Sequence, residues 1–538
     1  MYICCMYLKS VFLLALFVLV SCHQERKKTQ DVLKFNISQG LSSLDPAFAK
    51  DLSTTWMVGN VYDCLFTLDE NTELKPQLAS HYEVNDDATI YTIYMQKGVF
   101  FHKNACFKSN DSTRMATAYD AVYSLERLLN PKTASPGSWI LNGKVDSVHP
   151  FKIIDSFSFQ IRLQKPFAQF IFILTMPYTS IVPHEAVTFY GRTFRKNPVG
   201  TGPYKMKAWE EGTALFLEKN PNYFQKDLKG VQLPYISYVK VTFNEQKKME
   251  FLMLKKEELH FLKDVDGSIV HDVFDEQANL LPALQNDFYV QKKTYLNTEY
   301  LAIIHNNPKS PLYQKNVRKA INLAINRQEI VSNLKNNLVK IANKGFVVNG
   351  MPNFDTTFEG FEYNPIKAKA LLLESGYSAS NKPKIQLHIN NSFVDLAEFV
   401  IYQLQQVGFE VDLKMHPAET MMQLAIEGKI DFFRRSWTAD YPDAESNFAC
   451  FYSKNNSPPN YTRFKNARFD VLYESILKEP NAQKRIPIYK KMELILLEEA
   501  PIVPIFYDQS IRVIHKKVKN LGQNSINHLD LRNVKLEK

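Results

Sequence analysis

After residue 20 the sequence has no apolar run long enough to cross a bilayer, which takes about 18 or more consecutive apolar residues. Cysteine is scarce, with six in 538 residues, and the spacing of these residues gives no metal site. Gly-x-Ser-x-Gly and His-Glu-x-x-His are both missing; His184-Glu185 lacks the second histidine. The twelve histidines are scattered without ligand spacing. These absences exclude the familiar hydrolase and zinc-peptidase chemistries, and no enzyme, cofactor or metal is expected. Blocks of one charge are absent too. The formal net charge of +9 is mild for this length and the lysines are dispersed, so no nucleic-acid partner is implied.

What is present begins with residues 1–21, which read as a targeting segment. Lys9 supplies the charged start, and Val11 to Val20 is an apolar run too short to span a membrane but right for a signal core. It runs into Leu19-Val20-Ser21-Cys22, which resembles the bacterial lipobox. The expectation is cleavage before Cys22 and lipidation of its thiol. Residues 22–31 then form a polar tether, and the body of the protein is anchored by lipid to a bacterial membrane, facing the periplasm or the cell exterior. Contact with anionic lipid near the tether is compatible with the mild positive charge. Cys64, Cys106 and Cys450 remain in the body. An exported location permits a Cys64–Cys106 disulfide, but buried free thiols are the preferred reading.

The remaining length is too great for one core, so two or three domains are expected. Residues 32–39 alternate as a first strand, and residues 56–68 read as helix or strand. Residues 80–102 are strongly β in character, and Ala116–Leu129 has helical periodicity. Asn197 to Lys205 holds two glycines and two prolines, which predicts φ values that most residues avoid; it lacks the ending of a phosphate loop. Residues 299–306 read as a buried strand. Val317–Leu338 reads as a helix broken near Asn326, and Val394–Val407 as a helix ending at Gly408. Helices and strands are mixed throughout, which gives an α/β or α+β layering.

One stretch concentrates binding chemistry. Arg434 to Pro442 reads Arg-Arg-Ser-Trp-Thr-Ala-Asp-Tyr-Pro and follows the apolar Phe432-Phe433. An acid there can hold an ammonium, and a guanidinium can hold a carboxylate on two hydrogen bonds; those are the two ends of a peptide. If the stretch is extended, Arg434 and Asp440 share a face about 20 Å apart, whereas a tripeptide spans only about 10 Å. Either the chain bends, Arg434 reaches inward, or Arg434 serves only longer ligands.

Several blocks in order carry a resemblance. They include Leu44-Asp45-Pro46-Ala47, Asn60 to Asp69, Tyr119 to Arg127, Asn197 to Tyr204, Asn316 to Ala320 with Ala324 to Arg327, and Trp437-Thr438-Ala439-Asp440-Tyr441-Pro442. Nearly the whole chain past the targeting segment resembles the peptide-binding class of bacterial solute-binding lipoproteins, the receptors of oligopeptide and dipeptide ABC importers. The resemblance implies an α/β fold of the periplasmic-binding-protein type II kind: a two-lobed clamp with an extra inserted domain. Domain I would comprise residues 32–65, 195–285 and 505–538, the inserted domain II residues 66–194, and domain III residues 286–504. It implies that Asp440 holds the α-ammonium of a short peptide, and that Ser436, Trp437 and Thr438 line its backbone beside Tyr441. Arg434 would meet a carboxylate, while Arg435 faces away. Residues Lys50 to Ser53, with Leu52 as the contact, would supply an opposing strand. The family often has Pro where Ala444 stands. The implied partners are short peptides and the permease subunits of an ABC transporter, with the receptor a monomer. The same fold also admits a nickel chelate, haem, an oligosaccharide or a murein peptide, or a surface lipoprotein without a transport role.

Overall fold

The computed structural model describes residues 31–38, 40–352 and 354–537. The targeting segment, Cys22 and all of the tether but Asp31 lie outside the described residues.

An 11-stranded mixed sheet organises the chain. Two long antiparallel strands, Phe288–Ile303 and Ile502–His515, run through its middle and pair from Phe288↔His515 at one end to Ala302↔Ile502 at the other. Beside their Phe288/His515 end lie Phe261–Leu262, Val32–Ile37, Tyr238–Phe243, Ala214–Lys219 and Tyr204–Glu210. Beside the other end lie Phe432–Thr438, Lys384–Asn390 and Glu410–His416. Each half has its own cores. On the second half, Tyr300 and Ala302 point into one core while Leu301 and Ile303 point into another, as strand alternation requires. The long pair therefore joins two lobes, and its ladder is irregular between Thr294 and Thr298, where they meet.

The long strand corrects the sequence reading, which began it at residue 299 and ran it to 306. It starts eleven residues earlier and stops at Ile303. Its first half carries polar residues because it is only half-buried. The expected break near Asn326 is present: the helix Lys315–Ala324 ends, and the Asn326 side chain caps the next turn through Glu329 N at 3.3 Å. The helix Val394–Val407 stops at Gly408, whose φ of 113° only glycine adopts readily.

The inserted segment builds a separate four-stranded antiparallel sheet, Ala79–Val84, Ile90–Met95, Ser158–Arg162 and Phe151–Asp155 in that order. Its helix Ala118–Leu129 carries a capping box formed by Thr117 and Asp120. Its core is continuous with that of the first lobe. The glycines of the Asn197–Lys205 loop are there for a reason other than the one expected. Neither Gly200 nor Gly202 has positive φ; a Cβ on Gly202 would lie 2.5 Å from the Val61 carbonyl carbon, so close backbone approach requires them. Cys64, Cys106 and Cys450 are free thiols, so the Cys64–Cys106 pairing does not form. No helix of the described residues is long and apolar enough to cross a membrane.

Candidate functional site

The strand Phe432–Thr438 forms because Phe432 and Phe433 fill the cores on its two faces. One edge pairs along its whole length with Asn297–Ile303. The other edge meets Lys384–Asn390 at a single position, His388↔Phe433. From Arg434 to Thr438, no strand among the described residues pairs with that outer edge. Its backbone donors and acceptors remain open to an incoming extended chain.

Opposite residues of an antiparallel pair share a face. Trp437 and Arg435 take the face of the Tyr300 core. Trp437 packs against that core, and the Arg435 guanidinium lies over the Tyr461 ring at 4.0 Å, the structural role expected of it. Arg434, Ser436 and Thr438 take the other face with Glu299 and Asn297. Thr438 Oγ1 donates to Asn297 Oδ1 at 2.8 Å, and Asn297 Nδ2 donates to Asp508 at 2.6 Å. Arg434 donates from Nε and Nη2 to both oxygens of Glu299, and its guanidinium stacks 3.5 Å from the centre of the Phe393 ring. Burial pushes the Glu299 carboxyl up to about 7, against the pull of Arg434.

The strand ends at Thr438. Ala439 N is held by Leu296 O and Asp440 N by Ser446 Oγ, so the alternation that would align Arg434 with Asp440 stops short of Asp440. The chain bends there. Asp440 is exposed, and its carboxylate takes no hydrogen bond and no cation within 4 Å from any described residue. Protein crowds its other sides, and this partial desolvation pushes its carboxyl up to about 6, with Lys144 of the inserted segment drawing it back down. It is an ionisable group set where it can receive a cation.

The residues just after Asp440 hold the turn from behind. Asp443 pairs with Arg485 at 2.7 Å, both side chains being almost fully buried, and it also accepts from Tyr489 and from Glu445 N. Glu445 accepts from the hydroxyls of Tyr441 and Tyr473, and burial pushes its carboxyl up to about 7. Tyr441 is buried, and its ring stacks on Phe172 of the inserted segment at 6.1 Å. Its hydroxyl and ring are thus already engaged. Ala444, where a proline was anticipated, is fully buried.

The expectation of an opposing strand at Lys50 to Ser53 is not met. Asp51 caps the helix Leu52–Val61 through Thr54 N at 2.9 Å, and Leu52 is its first residue, partly exposed. An Asp-Leu-Ser-Thr sequence is itself a helix start, which could have signalled this. Sequence reasoning also missed Glu299, Asn297, Asp508 and Lys144. A glutamate inside a predicted buried strand was the available signal, since a buried charge demands a partner.

Two polar cavities lie away from this strand edge. One of about 550 Å³ is bordered by the Asp530–Arg532 and Asp69–Lys75 ion pairs, and one of about 450 Å³ by His305, Asn456 and Lys465. Asp120, His184 and Glu185 cluster closely enough to hold a metal, but both carboxylates already pair with Arg114 at 2.6 Å.

Two lobes joined by a pair of long strands, with an open strand edge and a free carboxylate facing an inserted segment, define a clamp of the type II solute-binding class. The family described as bacterial extracellular solute-binding proteins, family 5 (middle) matches residues 73–459, and the chain belongs to it. It is 27% identical over 497 residues to the glutathione-binding protein GsiB of Salmonella choleraesuis, covering 90% of each chain. Among solved structures it is similar to the unliganded open form of MppA, a periplasmic murein tripeptide binding protein, with TM-score 0.80 and 22% identity over 94% of this chain and 98% of that one. It is similar also to DppA of Helicobacter pylori in complex with the peptide STSA, with TM-score 0.72 and 23% identity over 96% and 100%.

Proposed function

We propose that this protein is an extracytoplasmic receptor for short peptides that hands them to an ABC importer, held at its membrane by lipid on Cys22. The observation that carries the reading is the unpaired edge Arg434–Thr438 leading to an unpartnered Asp440. An extended peptide can add to that edge as a strand and place its α-ammonium at Asp440. Main-chain pairing is indifferent to side chains, so the edge selects for an extended chain with a free amine rather than for a sequence. The names of similar proteins support the class, since glutathione, the murein tripeptide and STSA are all short peptides with a free amine.

The test is a four-way calorimetric cycle. Asp440→Ala is expected to weaken a free-amine peptide by roughly 100-fold, because the ammonium loses its partner. N-acetylating the peptide should weaken wild-type binding to a similar degree, and the two changes should not add. Undiminished binding of acetylated peptides would remove Asp440 from the site.

A further inference from the structure

The far end of the open edge carries a charge arrangement that bears on which peptides fit. A ligand anchored at Asp440 and laid along the five-residue open edge Thr438 to Arg434 would end beside Arg434. Left alone, its guanidinium would be a receptor for a terminal carboxylate. It is not alone: Nε and Nη2 are both taken by Glu299, whose side chain is only 3% exposed. Phe393 covers one face of the guanidinium. Nη1 has no partner among the described residues and is not sealed from solvent, so one corner still faces outward. The other charged groups near Glu299 are Lys335 and Asp508, of opposite sign, and Asp508 is held by Asn297. Arg434 and Lys335 therefore balance Glu299 and Asp508.

A second carboxylate brought to Nη1 would leave this enclosed group with one uncompensated negative charge. Such a charge is costly out of water unless a proton neutralises it. An ammonium and a guanidinium have no site for a further proton, so the proton must go to a carboxylate. Glu299 is the one that shares the guanidinium, and burial already brings it near the point of protonation at neutral pH.

We propose that Glu299 sets the end-group preference of the cleft: by neutralising Arg434 it lets a peptide with an uncharged terminus bind without charge cost, and admits a free carboxylate only with uptake of a proton. The inference rests on the peptide reading above and narrows it to peptides whose amine is free and whose far end is neutral at alkaline pH.

The experiment compares one free-amine pentapeptide as its C-terminal acid and as its amide, titrated into the chain from His23 onward, which keeps every described residue. Calorimetry in two buffers of different ionisation enthalpy at pH 7.5 to 8 counts the protons. The acid should take up about one more proton than the amide, and its affinity relative to the amide should rise by about tenfold for each pH unit lowered through this range. The amide serves as control for Asp440, which titrates equally with both peptides. In Glu299→Gln the extra proton should vanish, and the acid should gain at least tenfold on the amide at pH 8. Because the proton count needs only the wild type, a variant that folds poorly does not decide the matter. If both peptides bind the wild type with the same proton count, Glu299 has no such role and the peptide reading stands. If neither binds, both readings fall together.

Discussion

Asp440 and Asp443 sit three residues apart in one turn and live in opposite circumstances. Asp443 is buried and fully answered by Arg485, Tyr489 and a backbone amide. Asp440 is exposed and answered by nothing among the described residues. The pair shows what burial demands: inside the turn a carboxylate needs donors, while on its surface an acid can stand without them. Asp443 and Glu445 brace the turn from which Asp440 projects. In sequence the two aspartates look alike; their roles follow from which one has partners.

The comparison breaks most visibly at Asp443. Asp443→Ala strands Arg485 in the core and is expected to cost about 3–5 kcal/mol of folding stability. Urea unfolding followed by circular dichroism checks it, and Asp440→Ala in the same assay should stay within about 0.5 kcal/mol of wild type. A second measure sharpens the contrast through pH. Asp440 must be ionised to hold an ammonium, and its carboxyl is raised to about 6 in the free protein. Affinity for a free-amine amide peptide should therefore be highest near pH 7, weaken toward pH 8 as the peptide's own amine loses its proton, and fall about tenfold per unit below about 6. An Asp440→Asn protein should lose that acid limb, which titration at several pH values will reveal. The smallest effect concerns the open edge. Thr438→Val removes the hydrogen bond to Asn297 and should lower stability by about 1 kcal/mol, read as a shift in the urea midpoint with unchanged slope.

The parts of the fold written in local chemistry were legible in the sequence. Gly408 stops its helix and Asn326 divides another because single side chains or their absence decide those events. The mixed α/β, two-lobed architecture followed from the resemblance. What was not legible depends on distant partners. The first half of Phe288–Ile303 has no clean alternation, and it is a strand because it pairs with residues some 220 positions away in sequence. Arg434 was visible as a cation, but its engagement with Glu299, 135 residues earlier, was not. The glycines at 200 and 202 were noticed for the wrong property, since what they need is room against Val61 rather than an unusual φ. Leu52 was placed in a strand although Asp51 writes a helix cap beside it.

The open strand edge has a further consequence, for solubility. Rows of unpaired amides and carbonyls are where folded proteins adhere to one another and begin to aggregate. Here the row is five residues long. The turn at Asn391–Phe393, with Phe393 against Arg434, limits it at one end, and the bend at Asp440 limits it at the other, beside the inserted segment whose Phe172 meets Tyr441. A broad sheet from a neighbouring molecule finds too little length to grip, while a single thin strand of a few residues finds enough. The exposed row of unpaired backbone is thus kept to the length of one short strand.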